Sequence, residues 1–523
     1  MVGVGRGDGE IDREAMLARY RATRGLSVEL CRPLRAEDYR VQSMPDVSPP
    51  WWNLGHTTWF FAKNLLEPWG RYGAEDARLE YALNSYYESL GPRLARDHRG
   101  LVTRPTTEEV YAFRASVDAR VEALVKEAGD GDLNRLAFLL RTGVEHEQQH
   151  QELLLTEIKH ILGGNVPELR EPYRAAAGNG GPGVAPGGGW WAPGAGEPAR
   201  EGGLEAAAPV PLSLVPFAGG VSTVGNVEGG WCWDNELPVH RAFLEPFALA
   251  NRLITNREYL EFVEDGGYAD PLLWLANGWA RVRDAGWQAP LYWEAADGTG
   301  GNGGGARGNG GGARGNGGGA RGHAGSVPGN GGGTPGGLGT PGGRRWRLWT
   351  LGGLRELDPD EPVCHVSFYE AEAFARWFGR RGGEWQGARL PTEREWEQAA
   401  RSSGFPAAGA NFLDSGALHP RPAAAPDGGP GAGGGAGRRG GLLQMGGDLW
   451  EWTSSHYEPY PGYQPFDGNL MEYNGKFMDN QRVLRGGSCA TPASHVRPSY
   501  RNFWAGDTRF QFTGIRLAVS TGS

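Results

Sequence analysis

Residues 145–152 read EHEQQHQE, and the apolar run LLLTEIKHIL follows directly at 153–162. At 3.6 residues per turn, His146 and His150 lie one turn apart on the same helix face, so their imidazoles can converge on one ion. Glu152 lies about 200° around the helix from His150, so it is not expected to complete a ligand triad. The stretch predicts a packed helix that carries half of a metal site, although a solvated polar face would have the same spacing.

The sequence on both sides of this stretch also predicts helices. From about 10 to 165, apolar residues recur at spacings of three and four, while SPP at 48–50 and DGD at 130–132 are typical of helix starts. This part of the chain is predicted to be a helical bundle. His56, in the aromatic segment PPWWNLGHTTWFF at 49–61, is a candidate third ligand, although a lone histidine there is more often a core residue.

The composition changes after the predicted bundle. Residues 166–211 are rich in Gly, Ala and Pro and are predicted to be a linker, because they bury too little apolar surface to offset the entropy of ordering. From 212 to 523, short apolar runs alternate with turn residues and predict a mixed, loop-rich domain. Gly-rich insertions at about 297–345 and 423–441 interrupt it and are predicted to be flexible loops without a catalytic role.

Composition narrows the classes of partner. The 523 residues include 52 Lys and Arg against 61 Asp and Glu, a net charge of −9, and no basic stripe is evident, so we expect no nucleic-acid partner and no anionic membrane surface. The charged N-terminus and the lack of any run of about 18 apolar residues predict a cytoplasmic protein. The four cysteines form no CxxC pair, so a metal would rely on His or carboxylate ligands. Because the charge pattern favours neither nucleic acid nor a membrane surface, we expect small-molecule substrates.

A series of motifs runs along nearly the whole chain. In order they are NLGHTTWFF, SYYESLGPR, EHEQQHQE, DNELPVH, RLPTEREWE, MGGDLWEWTSS, NGKFMDNQRVLRGGSCATP, RPSYRNF and GIRLA. Together they resemble the ergothioneine-forming iron(II) sulfoxide synthases. The resemblance implies a DinB-like four-helix bundle followed by a domain that resembles the formylglycine-generating enzyme, with a C-type-lectin-like fold. It also implies that His56, His146 and His150 hold Fe(II), which leaves open positions for a thiolate and for O2.

The resemblance further implies the substrates. O2 would oxidise a thiol and hercynine (trimethylhistidine) together, forming a C–S bond at imidazole C2 and a sulfoxide. Gln149, Asn502 and Phe503 would bind hercynine, since an aromatic face suits its quaternary ammonium group. Trp504 stands where the mycobacterial branch, which uses γ-glutamylcysteine, carries an aspartate. L-cysteine is therefore the predicted thiol substrate.

The bundle carries the remaining candidates. In the cysteine-using branch, Tyr86 or Tyr87 would be the proton or hydrogen donor during O2 reduction, because a phenol is neutral at pH 7 yet can donate a proton. Adjacent helical residues point about 100° apart, so the two tyrosines are not expected to share a role. Asp46 and Arg96 would hold the amino and carboxylate groups of cysteine, although Asp46 could equally cap a helix and Arg96 could be solvated.

Several other functions stay open at this point. The same reaction could use γ-glutamylcysteine, or a selenoneine synthase could take a selenosugar. The bundle could instead belong to a zinc-dependent thiol transferase, as in other DinB-like proteins, or the second domain could be a non-catalytic binding module with a relic metal site. Cys489 has no second cysteine nearby, so formylglycine-generating activity itself is not expected.

Overall fold

The computed structural model describes residues 12–73, 79–173, 209–296, 345–424 and 441–522. The helices are α1 (Arg13–Cys31), α2 (Pro50–Phe61), α3 (Glu80–Leu83), α4 (Thr107–Glu127), α5 (Asp130–Gly163), α6 (Asn256–Glu264), α7 (Ala276–Ala285), α8 (Phe368–Gly379) and α9 (Glu393–Ser403). The strands are β1 (Leu214–Phe217), β2 (Gly220–Val224), β3 (His240–Leu244), β4 (Phe247–Ala250), β5 (Trp293–Ala295), β6 (Trp346–Thr350), β7 (Gly353–Glu356), β8 (Trp450–His456), β9 (Gln481–Arg485), β10 (Asn502–Ala505), β11 (Thr513–Gly514) and β12 (Ala518–Ser520). Residues 174–208 of the predicted linker lie outside the described residues, as do almost all residues of the two Gly-rich insertions.

The first part of the chain is a bundle in which α1, α2, α4 and α5 pack together. Helix α2 begins at Pro50 and α5 at Asp130, which confirms both predicted helix starts. Asp12 caps α1, because its carboxylate accepts the first backbone N–H groups of the helix. Thr106 and Glu109 form a capping box at the start of α4.

A buried ion network joins three helices of the bundle. The Glu147 carboxylate on α5 accepts hydrogen bonds from Arg24 at 2.8 Å, from Ser27 at 2.6 Å and from Arg114. All four side chains are buried. Because a buried charge is costly unless it is fully paired, these contacts hold α1 and α4 against α5 in one arrangement.

Helices α2 and α5 approach each other closely. A Cβ atom added to Gly143 of α5 would lie only 2.2 Å from the Phe61 ring of α2. Glycine is therefore needed here for packing, and its place one turn before His146 brings this part of α5 against the helix that carries His56.

The second part of the chain combines short strands with helices. One sheet has the order β1-β4-β12, a second β10-β9-β8-β11 and a third β5-β6-β7, while β2 and β3 form a hairpin. Pairing is antiparallel except between β8 and β11. Capping boxes at Thr255, Ser367 and Thr392 start α6, α8 and α9. The chain therefore has the predicted organisation, in which a helical bundle is followed by a mixed domain.

Helix α5 also packs against the second domain. The Glu152 carboxylate accepts hydrogen bonds from Trp450 Nε1 at 2.6 Å, Ser488 at 2.9 Å and Thr491 at 2.8 Å. Gly487, at φ 82°, lies in the turn after β9 that leads to these hydroxyls. Glu152 thus belongs to the domain interface and not to the ligand face, as its angle around the helix predicted. Among the described residues, no helix is both long and apolar enough to cross a membrane.

Candidate metal centre

Three buried histidines from two helices meet in the bundle. His56 comes from α2 and His146 and His150 from α5, and one ligand atom of each lies within 4.8 Å of the others. The ring centroids are separated by 4.7–5.0 Å. The structure therefore brings together the three predicted ligands, and the one-turn spacing places two of them on the same face of α5.

Hydrogen bonds orient two of these rings. His56 donates its Nδ1–H to the Leu83 carbonyl at 2.7 Å, and His150 donates its Nδ1–H to Asn53 Oδ1 at 2.7 Å. The Asn53 amide is itself oriented, because its N–H donates to the Glu157 carboxylate at 2.6 Å. Since each Nδ1 carries the proton, each Nε2 keeps a lone pair that can bind a metal.

The electrostatics of the three rings also suit a metal. Burial is the largest influence and lowers the pKa of all three imidazoles, that of His150 to about 3. They are therefore neutral at pH 7, which is the form that coordinates. Three neutral nitrogen donors on one side leave further positions free for other ligands, so the residues present fit a divalent transition metal.

A cavity of about 260 Å³ opens beside the histidines, and both parts of the chain line it. His146 and His150 form part of its wall. The other predicted site residues that line it are Asp46, Tyr86, Arg96, Gln149, Asn502 and Phe503. The two remaining predicted residues, His56 and Tyr87, are not part of its wall. Residues more than 300 positions apart in sequence thus face one space.

The residues predicted to bind hercynine lie at the domain interface. Gln149 on α5 donates to the Tyr500 hydroxyl at 2.8 Å and accepts from Tyr473. Phe503 on β10 stacks on Tyr457 with a centroid separation of 4.0 Å and is half-buried. Together with its neighbour Asn502, it presents an aromatic and amide surface to the cavity rather than filling the core.

The two predicted tyrosines follow a short helix rather than lying on it. Helix α3 ends at Leu83, and the Asn84 side chain donates to the Tyr87 carbonyl at 2.9 Å and accepts from its N–H at 3.1 Å. The expected helical geometry is wrong here, because the asparagine side chain replaces the helical hydrogen bonds. The rings of Tyr86 and Tyr87 stack with centroids 4.6 Å apart. Tyr86 lines the cavity, whereas Tyr87 is buried beneath it against Trp59.

The second domain holds this tyrosine loop. The Glu472 carboxylate accepts from the backbone N–H groups of Ser89 at 2.9 Å and Glu88 at 3.2 Å. Lys476 donates to the Tyr86 carbonyl, and the Phe477 ring packs edge-on against Tyr86. The position of the cavity-lining phenol thus depends on contacts between the two domains.

Asp46 and Arg96 both line the cavity, and both are exposed, so they lie where it meets solvent. The alternative that Asp46 caps α2 is wrong, because Pro49 is the N-cap and no side chain caps that helix. Arg96 occupies a short 3₁₀ turn, Arg96–His98, and its exposure agrees with the solvated alternative without removing it from the cavity wall.

Several residues that the sequence did not single out also line the cavity, among them Arg99, Tyr473 and Tyr500. Arg99 is 1% exposed and lies 3.3 Å above the Trp52 ring centroid. A charged run such as RLARDHRG is normally solvated, so nothing local predicted this burial. Tyr473 and Tyr500 lie in turn-rich segments without periodicity, and only the hydrogen bonds to Gln149 reveal them.

Fold and site together define a class of two-domain protein in which a helical bundle presents a three-histidine metal centre to a cavity closed by a mixed domain. The DinB superfamily matches residues 19–154, and the family described as "Sulfatase-modifying factor enzyme 1-like domain" matches residues 205–521. These matches confirm the predicted fold class. They also account for the change along the sequence from helical periodicity to short apolar runs separated by turns.

Relatives with an assigned activity match nearly the whole chain. The hercynine oxygenase of Mycolicibacterium thermoresistibile is 31% identical, with 93% of this chain and 92% of the relative covered. That of Mycolicibacterium smegmatis is also 31% identical, with 97% and 99% covered. "Ergothioneine biosynthesis protein 1" of Schizosaccharomyces pombe is 23% identical over 55% of this chain and 27% of that protein. The chain belongs to the hercynine oxygenase family, the ergothioneine-forming sulfoxide synthases, which confirms the resemblance and the expected oxygenase class.

Proposed function

We propose that this protein is an iron(II)- and O2-dependent sulfoxide synthase that joins hercynine to L-cysteine and forms hercynyl-cysteine sulfoxide. The observation that carries the proposal is the convergence of His56, His146 and His150 beside a cavity lined from both domains. Iron(II) held by these imidazoles would supply the redox chemistry and the positions at which a thiolate and O2 react.

The stoichiometry defines what the protein residues must do. A thiol, an imidazole C–H and O2 give a C–S bond, a sulfoxide oxygen and one water. Two electrons come from forming the C–S bond and two from oxidising sulfur. Protons must therefore reach the second oxygen atom, and bulk water must be kept from the oxidising centre.

The interface residues suit hercynine. Phe503 and its stacking partner Tyr457 offer aromatic faces, which attract a quaternary ammonium group. The ring centroid of Phe477 lies 5.8 Å from that of Phe503 and adds a third aromatic ring. The amides of Gln149 and Asn502 offer hydrogen-bonding groups at the cavity wall for the imidazole and carboxylate of the same molecule.

The outer wall suits a small amino-acid thiol. Arg96 carries the charge that would pair with the carboxylate of cysteine, and Asp46 the charge that would pair with its ammonium group. Trp504 supplies no carboxylate for a longer γ-glutamyl substrate. Tyr86 is the assigned proton donor, because it lines the cavity while Tyr87 supports it from below. Burial raises the pKa of the Tyr86 phenol, so it remains protonated and able to donate.

The first test is anaerobic loading with Fe(II), then mixing with hercynine, O2 and either L-cysteine, γ-glutamylcysteine or a selenosugar, with products followed by mass spectrometry. A cysteine sulfoxide conjugate is expected. A conjugate only with γ-glutamylcysteine would keep the reaction class and overturn the thiol substrate. Thiol transfer by the zinc-loaded protein without O2 consumption would overturn the reaction class.

A matched pair of variants tests the thiol site. Arg96→Met is expected to raise the KM for L-cysteine, because the carboxylate loses its charged partner, while the KM for hercynine stays unchanged. Arg93→Met is the control, since Arg93 is in the same loop, pairs with Glu88 at 2.8 Å and does not line the cavity. Equal KM values for cysteine in both variants would contradict the assignment.

A further inference from the structure

A chain of buried hydrogen bonds begins on α5, passes through the second domain and returns to α5. Glu145 accepts from His495 Nδ1 at 2.7 Å, and His495 Nε2 lies 2.9 Å from the Tyr500 hydroxyl. Tyr500 in turn lies 2.8 Å from the amide nitrogen of Gln149, whose oxygen accepts from Tyr473. Glu145, His495 and Tyr500 are all at most 4% exposed. The chain ends at a residue of the cavity wall.

The first hydrogen bond, between His495 and Glu145, determines which partner donates in each of the following hydrogen bonds. Two arginines also contact the Glu145 carboxylate, Arg19 at 3.1 Å and Arg141 at 2.6 Å. The guanidinium groups are permanently charged and can only donate, so the buried Glu145 side chain that they contact is an ionised carboxylate. A carboxylate can only accept, so His495 Nδ1 carries a proton.

The donors of the next two hydrogen bonds follow from this assignment. Burial lowers the pKa of His495, so the ring is neutral and its Nε2 has a lone pair. Tyr500 donates its O–H to that lone pair, because burial also raises the pKa of its phenol and keeps it protonated. Having donated its only proton, Tyr500 can only accept from Gln149. The nitrogen of the Gln149 amide must therefore face Tyr500, and its oxygen must face Tyr473.

The orientation of the Gln149 amide determines whether a donor or an acceptor faces the cavity beside Tyr500. A side-chain amide has two N–H donors, and Tyr500 uses one of them. The other N–H remains beside Tyr500 on the cavity wall. In the reversed orientation an oxygen acceptor would stand there instead, facing the acceptor nitrogen of an imidazole or a carboxylate oxygen, and an acceptor facing an acceptor is unfavourable.

We propose that His495, acting through Tyr500, is a positioning residue that orients the Gln149 amide so that its free N–H binds an acceptor atom of the imidazole substrate. The proposal rests on the proposed function, because it takes hercynine as the molecule that meets Gln149. It assigns to the second domain a role in substrate recognition through residues other than those on β10. The metal ligands are not part of this chain of hydrogen bonds.

The test compares hercynine binding and kinetics in three variants of the full-length protein. His495→Phe removes the acceptor of the Tyr500 proton, so the amide can reverse, and we expect the hercynine Kd and KM to rise about tenfold while the KM for L-cysteine stays constant. His495→Gln retains one donor and one acceptor and is expected to restore most of the affinity. Tyr268→Phe is the control, since it removes a partly buried hydroxyl that donates to Glu370 at 2.6 Å and does not line the cavity.

Binding is measured by calorimetry on anaerobic protein, and Fe(II) stoichiometry is measured in parallel. Equal hercynine Kd values for wild type and His495→Phe would overturn the positioning role. So would equal losses in His495→Phe and Tyr268→Phe, or a His495→Gln variant as weak as His495→Phe, because these results would indicate a general packing effect. Wild-type protein that does not bind hercynine would instead overturn the proposed function, and this role with it.

Discussion

Asn53 is the residue through which the bundle orients His150. Its Oδ1 accepts the His150 Nδ1–H at 2.7 Å, and its N–H donates to Glu157 at 2.6 Å, with all three side chains buried. Asn53→Leu keeps a side chain of similar size but removes the acceptor. When a metal occupies Nε2, the proton of His150 must stay on Nδ1, where it would have no partner.

The size of the effect on metal binding follows from the lost contact with His150. An unsatisfied buried donor costs about 1–3 kcal/mol, and about 1.4 kcal/mol corresponds to a factor of ten. Loss of the hydrogen-bond partner of a metal-binding histidine weakens metal binding by about 10–100-fold in general. We therefore expect Asn53→Leu to weaken Fe(II) binding by about 10–100-fold without unfolding the bundle.

The assay is an anaerobic competition titration of Fe(II) against a chromophoric chelator. Asn64→Leu is the matched control, because Asn64 is also buried and, among the described residues, its amide donates to the Phe60 carbonyl at 3.1 Å rather than contacting a metal ligand. The reasoning is refuted if Asn53→Leu binds Fe(II) as tightly as wild type, or if Asn64→Leu loses the same affinity.

Three further predictions concern packing, pH and metal removal. Gly143→Ala should lower the free energy of unfolding by about 1–3 kcal/mol, because the added Cβ would lie 2.2 Å from the Phe61 ring. Gly25→Ala is the control and should raise the free energy of unfolding by up to about 1 kcal/mol, because a Cβ there would meet no described atom within 4 Å. Denaturant unfolding that ranks the two variants in the opposite order would refute this. Burial raises the pKa of Glu472, but hydrogen bonds from Lys476 and Ser89 outweigh it and lower the pKa to about 2. Its contribution to stability is complete above about pH 4.5 and is lost as the pH falls towards 2, so the unfolding free energies of wild type and Glu472→Gln should converge over that interval, and a constant difference would contradict the contact. Chelation of iron should abolish O2 consumption but leave the circular dichroism unchanged, because a buried hydrophobic core that continues from the bundle into the second domain holds the fold without the metal; unfolding on chelation would show that the metal is needed for the fold.

The local signals in the sequence determined much of the metal centre. The spacing of His146 and His150 and the helix starts at Pro50 and Asp130 act over one or two turns, so they could be interpreted without any knowledge of packing. His56 is different. Its aromatic surroundings made it a candidate third ligand, but a core histidine was the more common explanation, and the resemblance to a family favoured the metal role.

The order of motifs likewise determined the fold class, since a helical period followed by short strands separated by turns distinguishes the two domains. The backbone at Tyr86 and Tyr87 was not predictable from periodicity, because the Asn84 side chain there competes with helical hydrogen bonds.

Only the tertiary structure decided which side chains face the cavity. Arg99 is buried over Trp52 although its local sequence is that of a solvated loop. Gln149 and Tyr500 are hydrogen-bonded across 351 positions of sequence, and Glu145 and His495 across 350. Helical spacing and caps are satisfied by near neighbours, whereas the partner of a buried polar group is whatever the packing of the two domains brings within about 3 Å.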